Sequence, residues 1–254
     1  MQDFTFSAYR NYLAAIRKSY PHILRFDDYF RLNQKPGSFC LIRHDVDRKP
    51  HNALKMARLE HSLDITATYC FRTKKHTFRP DIISSIFSLG HEIAYHYESL
   101  SDAKGNMDEA IKDFQNNLAK LRKLAPISTI SMHGRPFSRY DNKDIWKDGD
   151  NHKQLIDQCN ILGEMYLDID YSDIAYISDT GRNWQAREAN RRDHVNSNIV
   201  LDFRNGRSLL NYLNERPHPK LVFQIHPERW SELNFEYLIQ YTKDKAINLL
   251  KSLV

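Results

Sequence analysis

Short runs of β-branched and aromatic residues recur along this chain, separated by segments with helical spacing. That alternation is what most limits the fold. FCLIRHD (39–45), ITATYCF (65–71), HEIAYH (91–96), ISTISMH (127–133), IAYIS (174–178), IVLDF (199–203) and KLVFQIH (220–226) read as strands. Helical patterns fill the gaps at 51–63, 81–89, 106–124, 152–159 and 206–214, and an amphipathic helix closes the chain over 235–253. Strands alternating with helices predict a parallel α/β sheet or barrel. Seven strands with covering helices suit one domain over 39–254, with residues 1–38 as a helical flank.

A chain of 254 residues buries roughly 70–75% of the surface its unfolded form exposes, enough to stand without staples. The composition, 41% hydrophobic and 27% charged, is that of a soluble protein, and no apolar run approaches the ~18 residues of a membrane span. Cys40, Cys70 and Cys159 are too few and too scattered for a disulfide framework or a zinc knuckle, so reduced, buried thiols are expected. The N-terminus lacks a basic stretch followed by an apolar core, which leads to an expectation of a cytoplasmic protein. A net charge of +5 suits anionic partners such as phosphates, or simply a solvated basic surface. With no dense basic run and no nucleic-acid motif, nucleic acid is not an expected partner.

In parallel α/β folds ligands bind at the carboxyl ends of the strands. Here those ends carry Asp45 and Asp47, then His96, then His133 beside Arg135, and finally His226. Four strands thus deliver Asp or His to one edge. Asp45 and Asp47 leave their strand on the same side, and His44 leaves on the other. Two adjacent carboxylates repel unless a cation takes one of them, which leaves the other to accept a proton. His91 and His96 lie at opposite ends of one short strand, roughly 16 Å apart, so they do not share a metal. His91 reads as structural, and His96 belongs to the functional edge. The long polar segments 134–150 and 179–197 are candidate functional loops.

At these residues the chain resembles the polysaccharide deacetylase family, also called carbohydrate esterase family 4 or the NodB-homology domain, over about residues 39–230. The resemblance implies a distorted seven-stranded (β/α) barrel. "RHDVD" resembles the first motif, making Asp45 the base and Asp47 a metal ligand. "GHEIAYHYESL" matches the front of the second motif and supplies His96, but Leu100 stands where the family has a second metal histidine. His133 in "SMHGRP" is the favoured replacement, with Glu98 a second candidate. Arg135 beside Pro136 resembles the third motif and would pair with Asp45. "SDTGRNW" resembles the fourth, with Asp179 orienting the acid and Trp184 as a wall for a sugar ring. "FQIHPERW" resembles the fifth and makes His226 the general acid.

The resemblance therefore implies a metal-dependent hydrolase, with zinc the expected ion, that removes an N-acetyl group from a saccharide. A cytosolic, phosphate-linked saccharide intermediate suits the positive charge better than a finished wall polymer. Two alternatives stay open: a non-catalytic saccharide-binding protein on the same fold, which Leu100 motivates, and a hydrolase of a non-sugar amide, which some relatives of this family are.

Overall fold

A computed structural model describes residues 2–135, 137–147, 149–185, 194–232, 235 and 237–243. Its N-terminal part holds α1 (Phe6–Ser19), the two-residue β1 (Ile23–Leu24) and α2 (Phe26–Arg31). Then strands and helices alternate: β2 (Phe39–Val46), α3 (Pro50–His61), β3 (Thr68–Phe71), α4 (Pro80–Ser88), β4 (Glu92–Tyr97), the one-turn α5 (Ser99–Asp102), α6 (Met107–Arg122) and β5 (Thr129–Met132). A 3-10 turn at Asn142–Trp146 leads to α7 (Gly149–Gln158), β6 (Gly163–Glu164) and β7 (Ala175–Ser178). A small hairpin-like pair, β8 (Trp184–Gln185) and β9 (Asp202–Phe203), precedes α8 (Gly206–Glu215) and β10 (Lys220–Ile225).

The parallel sheet runs β6-β5-β4-β3-β2-β10-β7, with β1 added beside the start of β2. Its two ends, β6 and β7, do not pair, yet the sheet is strongly curled. In a flat sheet β2 and β5 would stand about 14 Å apart, three strand spacings. Side chains at their ends nevertheless approach to 3.5 Å (Asp47 Oδ1 to His133 Nε2). Tyr166, just after β6, bonds to Arg43 on β2 and Gln224 on β10, spanning the interior. The fold is an open, distorted (β/α) barrel.

Alternation along the strands sorts the side chains by face. Cys40, Ile42, Val46, Tyr69, Tyr95, Tyr97 and Phe223 point outward into the large core under the helices. Phe39, Leu41, Cys70, Ala94 and Val222 point inward and pack against Phe26 and Tyr29 of α2, which plugs the N-terminal mouth. The first amides of α2 are satisfied from inside the barrel: Phe26 N donates to Thr68 Oγ1 (2.9 Å) and Asp27 N to Glu92 Oε2 (3.0 Å). The C-terminal mouth is left to polar residues. All three cysteines are buried and free.

Three expectations change. The run 199–203 is not a sheet strand: only Asp202 and Phe203 pair, antiparallel to β8, and Val200 is 61% exposed. Its place in the parallel sheet is taken by β6, and β1 adds an eighth strand; both are too short for an alternating pattern to register. The flank before residue 39 supplies a strand and a plug as well as helix. Of the expected closing helix, residues 237–243 are helical, and most of the remainder lies outside the described residues. So do 186–193 of the 179–197 loop. Among the described residues no helix is long and apolar enough to cross a membrane.

Candidate metal centre

The C-terminal mouth gathers Asp47 from the turn after β2, His96 from β4 and His133 from the residue after β5. Asp47 Oδ1 lies 3.4 Å from His96 Nε2 and 3.5 Å from His133 Nε2, and the three donor atoms are all within 4.8 Å of one another. Asp47 Oδ1 is buried and has no hydrogen-bond partner. A tetrahedral ion with bonds of about 2.0–2.1 Å holds its ligand atoms about 3.3–3.4 Å apart, so this trio fits a divalent cation. Two imidazoles and one carboxylate form a borderline donor set that suits zinc and its first-row neighbours.

The far nitrogen of each imidazole is fixed. His96 Nδ1 donates to Ser131 O at 3.0 Å, which leaves Nε2 as the lone-pair nitrogen facing the cluster. His133 Nδ1 meets Glu98 Oε2 at 3.2 Å, and Glu98 is held in turn by Arg72 Nε at 2.9 Å and Nη2 at 2.6 Å. Burial alone would raise the Asp47 carboxyl, but the His133 and His96 imidazoles hold it well below the usual range. Burial pulls the His133 imidazole down, yet Asp47 and Glu98 outweigh it and lift the pKa to about 9.

Asp45 adjoins this trio, 1% exposed, with Oδ2 at 3.7 Å from His96 Nε2. Arg43, two residues earlier on the same face of β2, grips it with Nε to Oδ1 at 2.9 Å and Nη2 to Oδ2 at 2.8 Å. Gln224 Nε2 donates to Oδ2 at 2.6 Å. Burial pushes the Asp45 carboxyl up, but Arg43, His96 and His226 override it and bring it to about 2. His226 leaves β10 beside Asp45, because Ile225 is opposite His44 in the register. Its Nδ1 meets Asp179 Oδ1 at 2.6 Å, and Asp179 also accepts from Trp230 Nε1 at 2.7 Å. Burial and Arg229 lower the His226 imidazole, whereas Asp179 and Asp45 raise it, and the net shift is upward.

Two anticipated contacts are corrected. Arg135 does not reach Asp45: it pairs with Asp102 at 2.7 Å and Glu98 at 3.7 Å, and Arg43 holds the aspartate instead. Trp184 is no sugar wall. It is 4% exposed and stacks between Phe4 (5.2 Å) and Phe223 (6.0 Å), where an indole gains more from apolar burial than it would at an open cleft. Leu100 faces the apolar core at 4% exposure. Glu98 is outside the trio and acts on His133 from behind. His44 and His91 surround the buried Glu60 on the outer face, His44 Nε2 at 2.6 Å and His91 Nδ1 at 3.6 Å. Arg43 and Gln224 were missed, although period-2 spacing places them on the same face as Asp45 and His226.

The fold and the mouth together define an open parallel (β/α) barrel with a carboxylate–bis-imidazole cluster and a carboxylate and an imidazole beside it. No family model and no curated protein matches the sequence. Solved structures similar to it include a Streptococcus mutans CE4 esterase (13% identity, 89% of this chain and 87% of that one, TM-score 0.47). Another is the catalytic domain of a peptidoglycan N-acetylglucosamine deacetylase from Eubacterium rectale (14%, 85% and 87%, TM-score 0.46). A CE4 family pseudoenzyme from Bacillus anthracis also matches (12%, 82% of this chain, TM-score 0.45), and of its length this chain spans 60%.

Proposed function

We propose that the protein is a metal-dependent hydrolase that removes an N-acetyl or related acyl group from a saccharide. The observation that carries this reading is the convergence of Asp47 Oδ1, His96 Nε2 and His133 Nε2 on one point, with Asp45 and His226 beside it. Those three residues would hold the ion, zinc by donor type. When bound, a divalent cation polarises an amide carbonyl and makes water a better nucleophile. Asp45, kept ionised by Arg43 and Gln224, accepts the proton that the attacking water gives up. His226, whose pKa Asp179 and Asp45 raise, donates a proton to the departing nitrogen so that it leaves as an amine. Glu98 and Ser131 orient the imidazoles throughout. A phosphate-linked saccharide is the substrate class that the net charge of +5 suits.

One observation favours a second reading. A carboxylate whose pKa the charges of Arg43, His96 and His226 bring to about 2, and that also accepts three hydrogen bonds, is a reluctant base, which is what a saccharide-binding protein without catalysis would tolerate. Two measurements decide. Purified protein should carry about one zinc per chain and release acetate from N-acetylated oligosaccharides. Asp45→Asn should keep its metal and lose about 10²–10⁴-fold in rate. Metal-free protein that binds sugar without releasing acetate would give the second reading its place. Release of acyl groups only from small non-sugar amides would redirect the substrate class.

A further inference from the structure

Beside the metal centre, the segment after β5 folds back on α5 and encloses a cleft of about 400 Å³. His133, whose Nε2 belongs to the cluster, forms one wall; Arg135, Phe137, Arg139 and Tyr140 form the others. The walls are fixed. Asn142 ties the start of the segment to α5, donating from Nδ2 to His133 O (2.8 Å) and accepting Ser101 N at Oδ1 (2.9 Å). Tyr140 is seated on Gly105, where φ is +89° and an added Cβ would fall 2.3 Å from the ring. Arg139 lies over the Tyr140 ring at 4.8 Å and bonds its hydroxyl. Phe137, 69% exposed, presents its ring at the rim of the cleft.

The charge around this cleft is unbalanced. Arg72, Lys74 and Arg135 form ion pairs with Glu98 and Asp102, and the described residues that line the cleft include Arg135 and Arg139 but no carboxylate. Arg72, Lys74 and Arg135 are engaged with those carboxylates, while Arg139 is aligned by an aromatic ring at the exposed rim. A neutral saccharide needs stacking and hydroxyl partners but no excess of cations. An oxyanion does, and a guanidinium held against a ring at the rim is placed to meet one.

We infer that this cleft binds the anionic group, phosphate or carboxylate, of an acidic saccharide whose acyl group sits at the metal centre, with Arg139 as the contact and Phe137 as the stacking face. This inference rests on the hydrolase reading for the position of the acyl group, but the binding itself can be measured without turnover.

The test is calorimetric binding of three probes to the full chain: N-acetylglucosamine, its 1-phosphate, and N-acetylmuramic acid, which carries a carboxylate. At least one charged probe should bind about tenfold tighter than the neutral sugar, and which one does separates phosphate from carboxylate. That preference should shrink as salt is raised. In Arg139→Gln the ratio of charged to neutral affinity should fall close to one. Phe137→Ala should weaken all probes together and leave the ratio standing. Arg139 lies on the surface, and an unchanged circular dichroism spectrum certifies the variant's fold. Equal affinities in the wild type, no binding of any probe at millimolar concentration, or a preference that survives Arg139→Gln each overturn the inference. If neutral sugars are deacetylated equally well, the hydrolase reading stands and this one falls. If the charged probe binds through Arg139 but no substrate ever releases acetate, the reverse holds.

Discussion

Glu98 shows what one side chain outside a cluster contributes. Its Oε2 meets His133 Nδ1, and Arg72 fixes its other oxygen, so the imidazole is held with Nε2 toward Asp47. Glu98→Gln is nearly isosteric but turns the charge-assisted contact into a neutral one. Metal affinity should fall about 10–100-fold, measured by competition with a chelating dye, with the fold intact. Unchanged affinity would mean His133 is not a ligand. Protons supply an independent check. With its pKa lifted to about 9, His133 carries a proton at pH 7 in the metal-free protein. Metal binding must displace it, so about one proton should be released per ion at pH 7, and affinity should rise with pH up to about 9. Calorimetry in buffers of different ionisation enthalpy counts it. The strand-end logic led to Asp45, Asp47, His96, His133 and His226 because polarity at a strand end is a local signal. Neither Arg135's turn toward Asp102 nor Trp184's burial under Phe4 has a local signal, since each depends on a segment far away in the chain.

At the scale of elements, Glu92 joins three of them. It accepts from Thr68 Oγ1 on β3 at 2.5 Å, from Thr129 Oγ1 on β5 and from the Asp27 amide at the start of α2 at 3.0 Å. Burial and the nearby Asp27 lift its pKa to about 7, against the hydrogen bonds that hold it down. A carboxyl raised in the folded state gives stability that is fully present below the unfolded pKa near 4.5 and is lost as pH rises through about 7. Glu92→Gln keeps the acceptor facing Asp27 N and Thr68, and its amide can donate to Thr129 Oγ1. Urea denaturation should therefore show the variant gaining on the wild type, on the order of 1–3 kcal/mol, between pH 4.5 and 8. A constant difference across that range would show that Glu92 stays ionised. The long strands were legible because both faces of β2 and β10 are apolar enough to register. The paired ends β1 and β6 were not, because two residues cannot alternate, and IVLDF misled because Val200 is apolar yet exposed.

For the whole molecule, the sharpest question is whether the first 38 residues are a flank or part of the barrel. The sequence reads them as a helical flank before the first long strand, but the packing joins them. Tyr9, Tyr12, Leu13 and Ile16 of α1 have no exposed surface, and both tyrosines stack edge-on against Trp230. Tyr9 also donates to Glu60, the carboxylate that holds His44 and accepts from Tyr69 at 2.7 Å. Phe26 plugs the interior, and β1 satisfies backbone groups at the start of β2. Losing one buried aromatic costs about 3–5 kcal/mol, and a domain's whole stability is about 5–15 kcal/mol. Removing three aromatics, a strand and the plug together exceeds that margin. A chain beginning at Phe39 should therefore lack a cooperative thermal transition and bind a hydrophobic dye. Since Asp45 lies on β2 and Asp47 directly follows it, and β1 pairs the start of that strand, the truncated chain should lose its metal as well. A truncated chain that melts cooperatively and still holds one ion would make residues 1–38 a true appendage.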